Sequence, residues 1–132
     1  MIVAAVLCGG LGTRLRAEIG EHQKCSIEVG GRPWLHYVLD FLQDGGVEEA
    51  LLMTGYMSGE IRAAANTWAE KGRMRITCLF SEPAPHGVGR AVRDAIVHSG
   101  GERLLVVNGD TLIDDFPLRS FLAANRKHWV VK

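Results

Sequence analysis

Short apolar runs alternate four times with longer stretches of helical periodicity along this chain, and that alternation restricts the fold more than any other feature. The first run, residues 2–7 (IVAAVL), is apolar at every position and breaks at Gly9-Gly10. A run this short, without polar alternates, reads as a strand covered on both faces. Residues 50–54 form a second short apolar run, residues 74–80 and 104–107 a third and a fourth strand, and residues 128–132 begin a fifth. Between the runs lie helices. Pro33 fits a first helical position, after which Trp34, Val38, Phe41 and Leu42, with Leu35 and Leu39, recur at helical spacing until Gly45-Gly46. Ser58 can cap a second helix that puts Ile61, Ala64, Ala65 and Trp68 on one face and ends near Gly72. Val88, Ala91, Val92, Ala95 and Ile96 mark a third, stopped by Gly100-Gly101, and residues 117–127 a fourth. Strand–helix alternation with short connections predicts an α/β fold: a Rossmann-like, doubly wound parallel sheet with helices on both faces. Ligands of such sheets sit at the carboxyl ends of strands, which directs attention to the loops after the first, third and fourth strands.

Composition narrows the function. With 132 residues the chain suits one domain, 1–132, and 47% hydrophobic residues supply a core, which excludes a disordered tail. Fifteen basic and fifteen acidic side chains cancel, so no basic excess points to a nucleic-acid partner, and 7% aromatic residues make a poor base-stacking platform. The apolar amino-terminal run lacks the positive flank of a secretory signal, and no stretch reaches the roughly 20 apolar residues of a membrane helix. No membrane partner is expected. Cys8, Cys25 and Cys78 are odd in number, with no CxxC pair and no histidine at ligand spacing. Reduced thiols and a cytoplasmic location follow as expectations.

Three loops carry chemistry-bearing residues. After the first strand comes Cys8-Gly9-Gly10-Leu11-Gly12-Thr13-Arg14-Leu15-Arg16, whose glycines allow backbone N–H groups close to an anion while the arginines add charge. It is not a Walker A loop, since no Gly-Lys-Ser/Thr follows, and not a dinucleotide fingerprint, since Leu15 stands where a third glycine belongs. By itself it would also read as a glycine turn with solvated arginines. Lys24 precedes a short stretch, residues 27–29, and the Gly30-Gly31-Arg32-Pro33 turn. After the third strand lies Ser81-Glu82-Pro83-Ala84-Pro85-His86-Gly87-Val88-Gly89-Arg90, with two glycines at a helix start. After the fourth lies Asn108-Gly109-Asp110-Thr111. A carboxylate just past a buried strand suits Mg²⁺, which takes one or two carboxylates plus phosphate oxygens.

In order and spacing these elements resemble the sugar-1-phosphate nucleotidylyltransferases, whose pattern is a strand ending in (A/C)GGxGTRL, a Pro-Lys-Pro segment before a GxP turn, an E/Q-x-x-x-x-Gly motif and a strand ending in Gly-Asp. The likeness is greatest to the guanylyltransferases acting on heptose or mannose 1-phosphate. It runs from residue 2 to about residue 127 but covers only the nucleotide-binding front part of the family's domain. The resemblance implies a nucleotide-diphospho-sugar transferase type of fold, and a nucleotide site formed by Leu7, Cys8, Gly9, Gly10, Gly12, Thr13, Arg14, Lys24, Glu82, Gly87 and Asp110. Arg14, Lys24 and Asp110 would be catalytic: Arg14 neutralises leaving pyrophosphate, Lys24 stabilises charge near the α-phosphate, and Asp110 is one of two aspartates that hold Mg²⁺. Glu82 and Gly87 fall in the base-reading loop. The implied reaction is NTP plus sugar 1-phosphate to NDP-sugar plus pyrophosphate, by in-line attack on the α-phosphorus, which needs positioning and charge neutralisation rather than a covalent nucleophile. An ionised carboxylate at Glu82 only accepts hydrogen bonds. Guanine offers it paired donors, whereas uracil and thymine offer one N–H between acceptors, so GTP is favoured.

The sequence departs from the family pattern in places. Gln23 and Cys25 replace the prolines around Lys24, so that segment is expected to be less rigid. Arg90 stands where a small residue is common and reads as an outward-facing helix residue; His86 reads as a loop residue. Asp114 and Asp115 lie too near Asp110 to replace a ligand from another strand and read as turn or cap residues. The family's second metal aspartate and its sugar-binding segments would fall after residue 132, which makes the chain look truncated. A sheet ending at its fifth strand leaves an edge that invites a homodimer. Two other functions compete: a non-catalytic nucleotide-binding or interaction module, and guanylyl transfer to molybdenum cofactor, whose enzymes share a similar glycine loop. The longer GxGTRL form and the Gly-Gly-Arg-Pro turn favour the sugar-phosphate group.

Overall fold

A computed structural model describes residues 1–8, 24–55, 58–80, 87–112, 115–124 and 130–131. Its strands are β1 (Ile2–Leu7), β2 (Glu28–Val29), β3 (Arg32–Pro33), β4 (Glu49–Thr54), β5 (Arg75–Phe80), β6 (Arg103–Asn108) and β7 (Val130–Val131). Its helices are α1 (Trp34–Asp44), α2 (Ser58–Ala69), α3 (Gly87–Ser99) and α4 (Leu118–Ala124). The five-stranded sheet runs β5-β4-β1-β6-β7, and every pairing in it is parallel. From β1 the chain therefore winds outward through β4 to β5, then returns and winds the other way through β6 to β7. The reversal falls between β1 and β6, the switch point beside which open α/β sheets bind ligands.

The uninterrupted apolar runs have a direct cause. Alternate residues of a strand face opposite sides of a sheet. On one side Ala4, Val6, Ala50, Leu52, Leu105 and Val107 pack with Leu35, Val38, Leu39 and Leu42 of α1, Ile61, Ala64, Ala65 and Trp68 of α2, and Leu118 and Leu122 of α4. On the other, Val3, Ala5, Leu51, Met53, Leu104 and Val106 pack with Ala95 of α3. Both faces are covered, so both parities are mainly apolar, and the buried polar residues of β4 are partnered: Glu49 Oε2 accepts from Thr77 Oγ1 at 3.0 Å and Thr54 Oγ1 donates to the Leu79 carbonyl at 3.2 Å. The edge strand β5 is buried less completely than β1, β4 and β6.

The expected elements are present with shifted ends. Pro33 is not the first helical residue. Its ψ of 138° is extended and it pairs with Glu28 in a short antiparallel ladder, so α1 starts at Trp34. The ladder turns at Gly30 and Gly31, with φ of +61° and +81°, the two positive values a tight hairpin of this hand requires. The fourth helix is shorter than residues 117–127 predict, running Leu118–Ala124, and residues 125–129 lie outside the described set. Arginines close two helix ends: Arg119 donates to the Asp44 carbonyl at 2.7 Å and Arg103 donates to that of Leu122. Among the described residues no helix is long and apolar enough to cross a membrane.

Candidate active site

The strand ends at the switch point are tied together first by backbone. Beyond β1, Cys8 N–H donates to the Met53 carbonyl of β4 at 3.0 Å, while the Leu7 carbonyl accepts from Gly109 N–H at 3.0 Å. Gly109 is the first residue past β6, and its missing side chain is essential to the packing. A Cβ there would stand 2.8 Å from Cys25 Sγ, 3.0 Å from the Leu7 carbonyl oxygen and 3.1 Å from Cys8 Sγ. Two of these neighbours are sulfurs sealed in the core and the third is backbone, so none can yield freely. This close approach seats the next residue, Asp110, above the sheet.

Lys24 reaches the same place from another direction. It opens a 3₁₀ turn, Lys24–Ser26, pinned at three points: Cys25 is buried, Ser26 Oγ donates to Glu60 Oε2 of α2 at 2.6 Å, and the Ile27 carbonyl accepts from Trp34 N–H at 2.7 Å. Lys24 Nζ then lies 3.1 Å from Asp110 Oδ2. Thr111 Oγ1 donates to Asp110 Oδ1 at 3.0 Å. Burial opposes ionisation of Asp110, but the hydrogen bonds from Lys24 and Thr111 and the charge of Lys24 outweigh it and hold the carboxyl below its ordinary range. At neutral pH the group is an anion. With side chains 28% and 44% exposed, the pair contributes roughly 0–1 kcal/mol to stability, so its importance is positional.

Of the residues singled out from sequence, Lys24 and Asp110 are brought together. Leu7 ends β1 and Cys8 follows it, with the Cys8 side chain buried in the core. A hydrogen bond to Cys25, reinforced by burial, pushes the Cys8 thiol well above its usual range, which makes it a packing group and a poor nucleophile. Gly87 is the first residue of α3, and Arg90 is exposed on that helix, as expected. Asp115 sits in a turn with φ of 59°. Gly9, Gly10, Gly12, Thr13, Arg14, Arg16, Glu82, His86 and Asp114 fall outside the described residues.

One residue of the site escaped sequence reading. Trp34 looked like part of the apolar face of α1, yet its indole Nε1 donates to the Gly109 carbonyl at 2.9 Å. The available clue was a tryptophan, whose N–H usually needs a partner when partly buried, directly after the Gly-Gly-Arg-Pro turn. A groove of ≈ 470 Å³ lies between α1 and α2, lined by residues such as Arg32, His36, Asp40, Trp68 and Lys71. Neither Lys24 nor Asp110 lines it, and its central carboxylate, Asp40, is already engaged by Arg32 and Trp68.

Fold and site together define a doubly wound α/β protein with a lysine–carboxylate pair at the switch point of its sheet. More particularly, the chain belongs to the MobA-like NTP transferase domain family, whose model matches residues 4–131. It is 34% identical over 110 residues to the D-glycero-alpha-D-manno-heptose 1-phosphate guanylyltransferase of Aneurinibacillus thermoaerophilus, covering 83% of this chain and 46% of that protein. It is 30% identical over 112 residues to the Campylobacter jejuni protein of the same name, covering 84% and 48%. The chain thus spans about half the length of these relatives. Among solved structures, HddC from Yersinia pseudotuberculosis complexed with GMP-PN superposes with a TM-score of 0.81 at 25% identity, over 96% of this chain and 55% of that one. A UTP-bound UGPase from Acinetobacter baumannii, at 22% identity, TM-score 0.74 and coverage of 96% and 54%, shares the fold.

Proposed function

We propose that this chain carries the nucleotide-binding and transfer centre of a sugar-1-phosphate nucleotidyltransferase, moving GMP from GTP to a heptose or mannose 1-phosphate with release of pyrophosphate. The observation that carries the reading is the 3.1 Å pair between Lys24 and Asp110 at the carboxyl ends of β1 and β6. A cation and a carboxylate side by side at a switch point suit a polyphosphate: the lysine meets phosphate oxygens, and the carboxylate is freed to share a hard cation with them. Arg14 would add charge at the leaving pyrophosphate. Gly9, Gly10, Gly12 and Thr13 would offer backbone N–H groups to the phosphates. Displacement at phosphorus asks the protein for orientation and charge neutralisation, which these residues supply without a covalent nucleophile.

Asp110 fits Mg²⁺ as a single anionic oxygen ligand, with phosphate and water completing the shell. Bound there, the ion would neutralise developing charge on the phosphates. Within the protein, Lys24 would exchange its carboxylate partner for a phosphate oxygen as nucleotide arrives. The preference for GTP rests on the acceptor-only chemistry of Glu82 and on the guanylyltransferase names of the relatives at 34% and 30% identity. A homodimer belongs to the same reading, supported by the edge strand β5 and by exposed Phe80 and Val97, 64% and 75% accessible. Reduced Cys8, Cys25 and Cys78 accord with a cytoplasmic setting.

The test is pyrophosphate release with GTP, UTP and dTTP against mannose, heptose and glucose 1-phosphates. Release should be greatest with GTP and a mannose or heptose 1-phosphate. Binding of GTP without release in any combination would favour a nucleotide-binding module, and no nucleotide binding would overturn the proposal. Glu82→Gln should shift the ratio of GTP to UTP use, and an unchanged ratio would remove Glu82 from base reading.

A further inference from the structure

Trp34 touches both segments that carry the site. Its backbone N–H donates to the Ile27 carbonyl at 2.7 Å, and Ile27 N–H donates to the Lys24 carbonyl at 3.3 Å, so the end of the Lys24 turn hangs on the start of α1. Its indole Nε1 donates to the Gly109 carbonyl at 2.9 Å, across 75 positions of sequence. Gly109 N–H is held by Leu7, so the indole completes the fixation of the peptide that leads into Asp110. The indole is itself braced. Its ring lies 5.8 Å from that of Tyr37, whose hydroxyl donates to the Val29 carbonyl at 2.6 Å, and the Arg32 guanidinium sits 4.6 Å over the Tyr37 ring.

We propose that Trp34 is a positioning residue, bonding the Lys24 turn through its backbone and the Gly109-Asp110 peptide through its indole, and so setting the spacing of Lys24 and Asp110. Burial of the ring does not explain the indole bond, because phenylalanine would bury nearly as much apolar surface without donating.

The substitution Trp34→Phe keeps a ring and deletes the donor. Hydrogen exchange of the Gly109 and Thr111 amides, bonded to the Leu7 and Asn108 carbonyls, should accelerate about five- to tenfold in W34F, with exchange in the centres of β1 and β4 unchanged. In the unaltered protein the Trp34 indole N–H should itself exchange slowly with solvent, a readout that requires no variant to fold. The kinetic arm rests on the transferase reading. There W34F should lower kcat about five- to tenfold with KM for GTP within about twofold, yet cost less than about twofold when combined with Asp110→Asn. Such non-additivity is expected of a residue acting through Asp110 and not of one that only supports the fold. Unchanged exchange at Gly109 and Thr111, a freely exchanging indole N–H, or an equal kinetic cost in both backgrounds would each overturn the proposal. Should the unaltered protein release no pyrophosphate, the transferase reading falls and the two exchange measurements still decide the role of Trp34.

Discussion

Lys24 and Asp110 are separated by 86 positions of chain and 3.1 Å of space. Their pairing contributes little to stability, so removing either should leave a folded protein while emptying the site of a charge. Lys24→Ala and Asp110→Ala are each expected to lower pyrophosphate release by about 100-fold or more, with thermal unfolding nearly unchanged; near-normal turnover would reject the assigned roles. Gly109 behaves in the opposite way. Gly109→Ala drives a methyl group against Cys25 Sγ, Cys8 Sγ and the Leu7 carbonyl, and should destabilise the protein by about 1–3 kcal/mol in chemical denaturation. Both members of the Gly-Asp motif stand out in the sequence, but for different reasons than a pattern conveys: the aspartate by its charge, the glycine by the space denied to it. Trp34 shows the converse, a residue whose periodicity hides its bond to Gly109.

At the scale of elements, α1 and α2 are joined by a polar clasp on their outer side. Asp40 accepts from Arg32 Nη2 at 2.7 Å and from Trp68 Nε1 at 2.8 Å. Burial raises the Asp40 carboxyl, but the two hydrogen bonds and the charge of Arg32 prevail and lower it below its ordinary value. A depressed carboxyl contributes stability that is complete above the unfolded pKa of about 3.9 and is lost as pH falls through the lower folded value. Denaturation midpoints between pH 7 and pH 2 should therefore decline on the acid side, and Asp40→Asn should decline less; parallel profiles would dismiss the clasp as a pH-dependent contributor. Elements were legible from sequence where one force dominated. The strand cores at residues 50–54 and 104–107 read as short, mainly apolar runs because both sheet faces are covered. The helix α1 starts one residue later than Pro33 predicts, because proline's fixed φ suits a short ladder as well as a first helical turn.

For the whole molecule, the unevenly covered sheet has consequences for association. Phe80 at the end of the edge strand β5, with Val88 and Val97 on α3, leaves apolar surface exposed. Light scattering is expected to show mass rising with concentration, and Val97→Lys should suppress it; a concentration-independent monomer mass would count against a dimer. The amino-acid sequence by itself determined the fold class, because alternation between period two covered on both sides and period 3.6 has few solutions other than a parallel sheet wrapped by helices. It also singled out the loops with chemistry, since glycine, lysine and aspartate after buried strands have a small set of uses. The tertiary structure decided which of those loops meet. Strand order is set by packing between distant elements, and it is the order β4-β1-β6 that brings the end of β6 beside the end of β1 and under the Lys24 turn. Single-residue periodicity has no term for such a meeting, and the same is true of the indole that spans it.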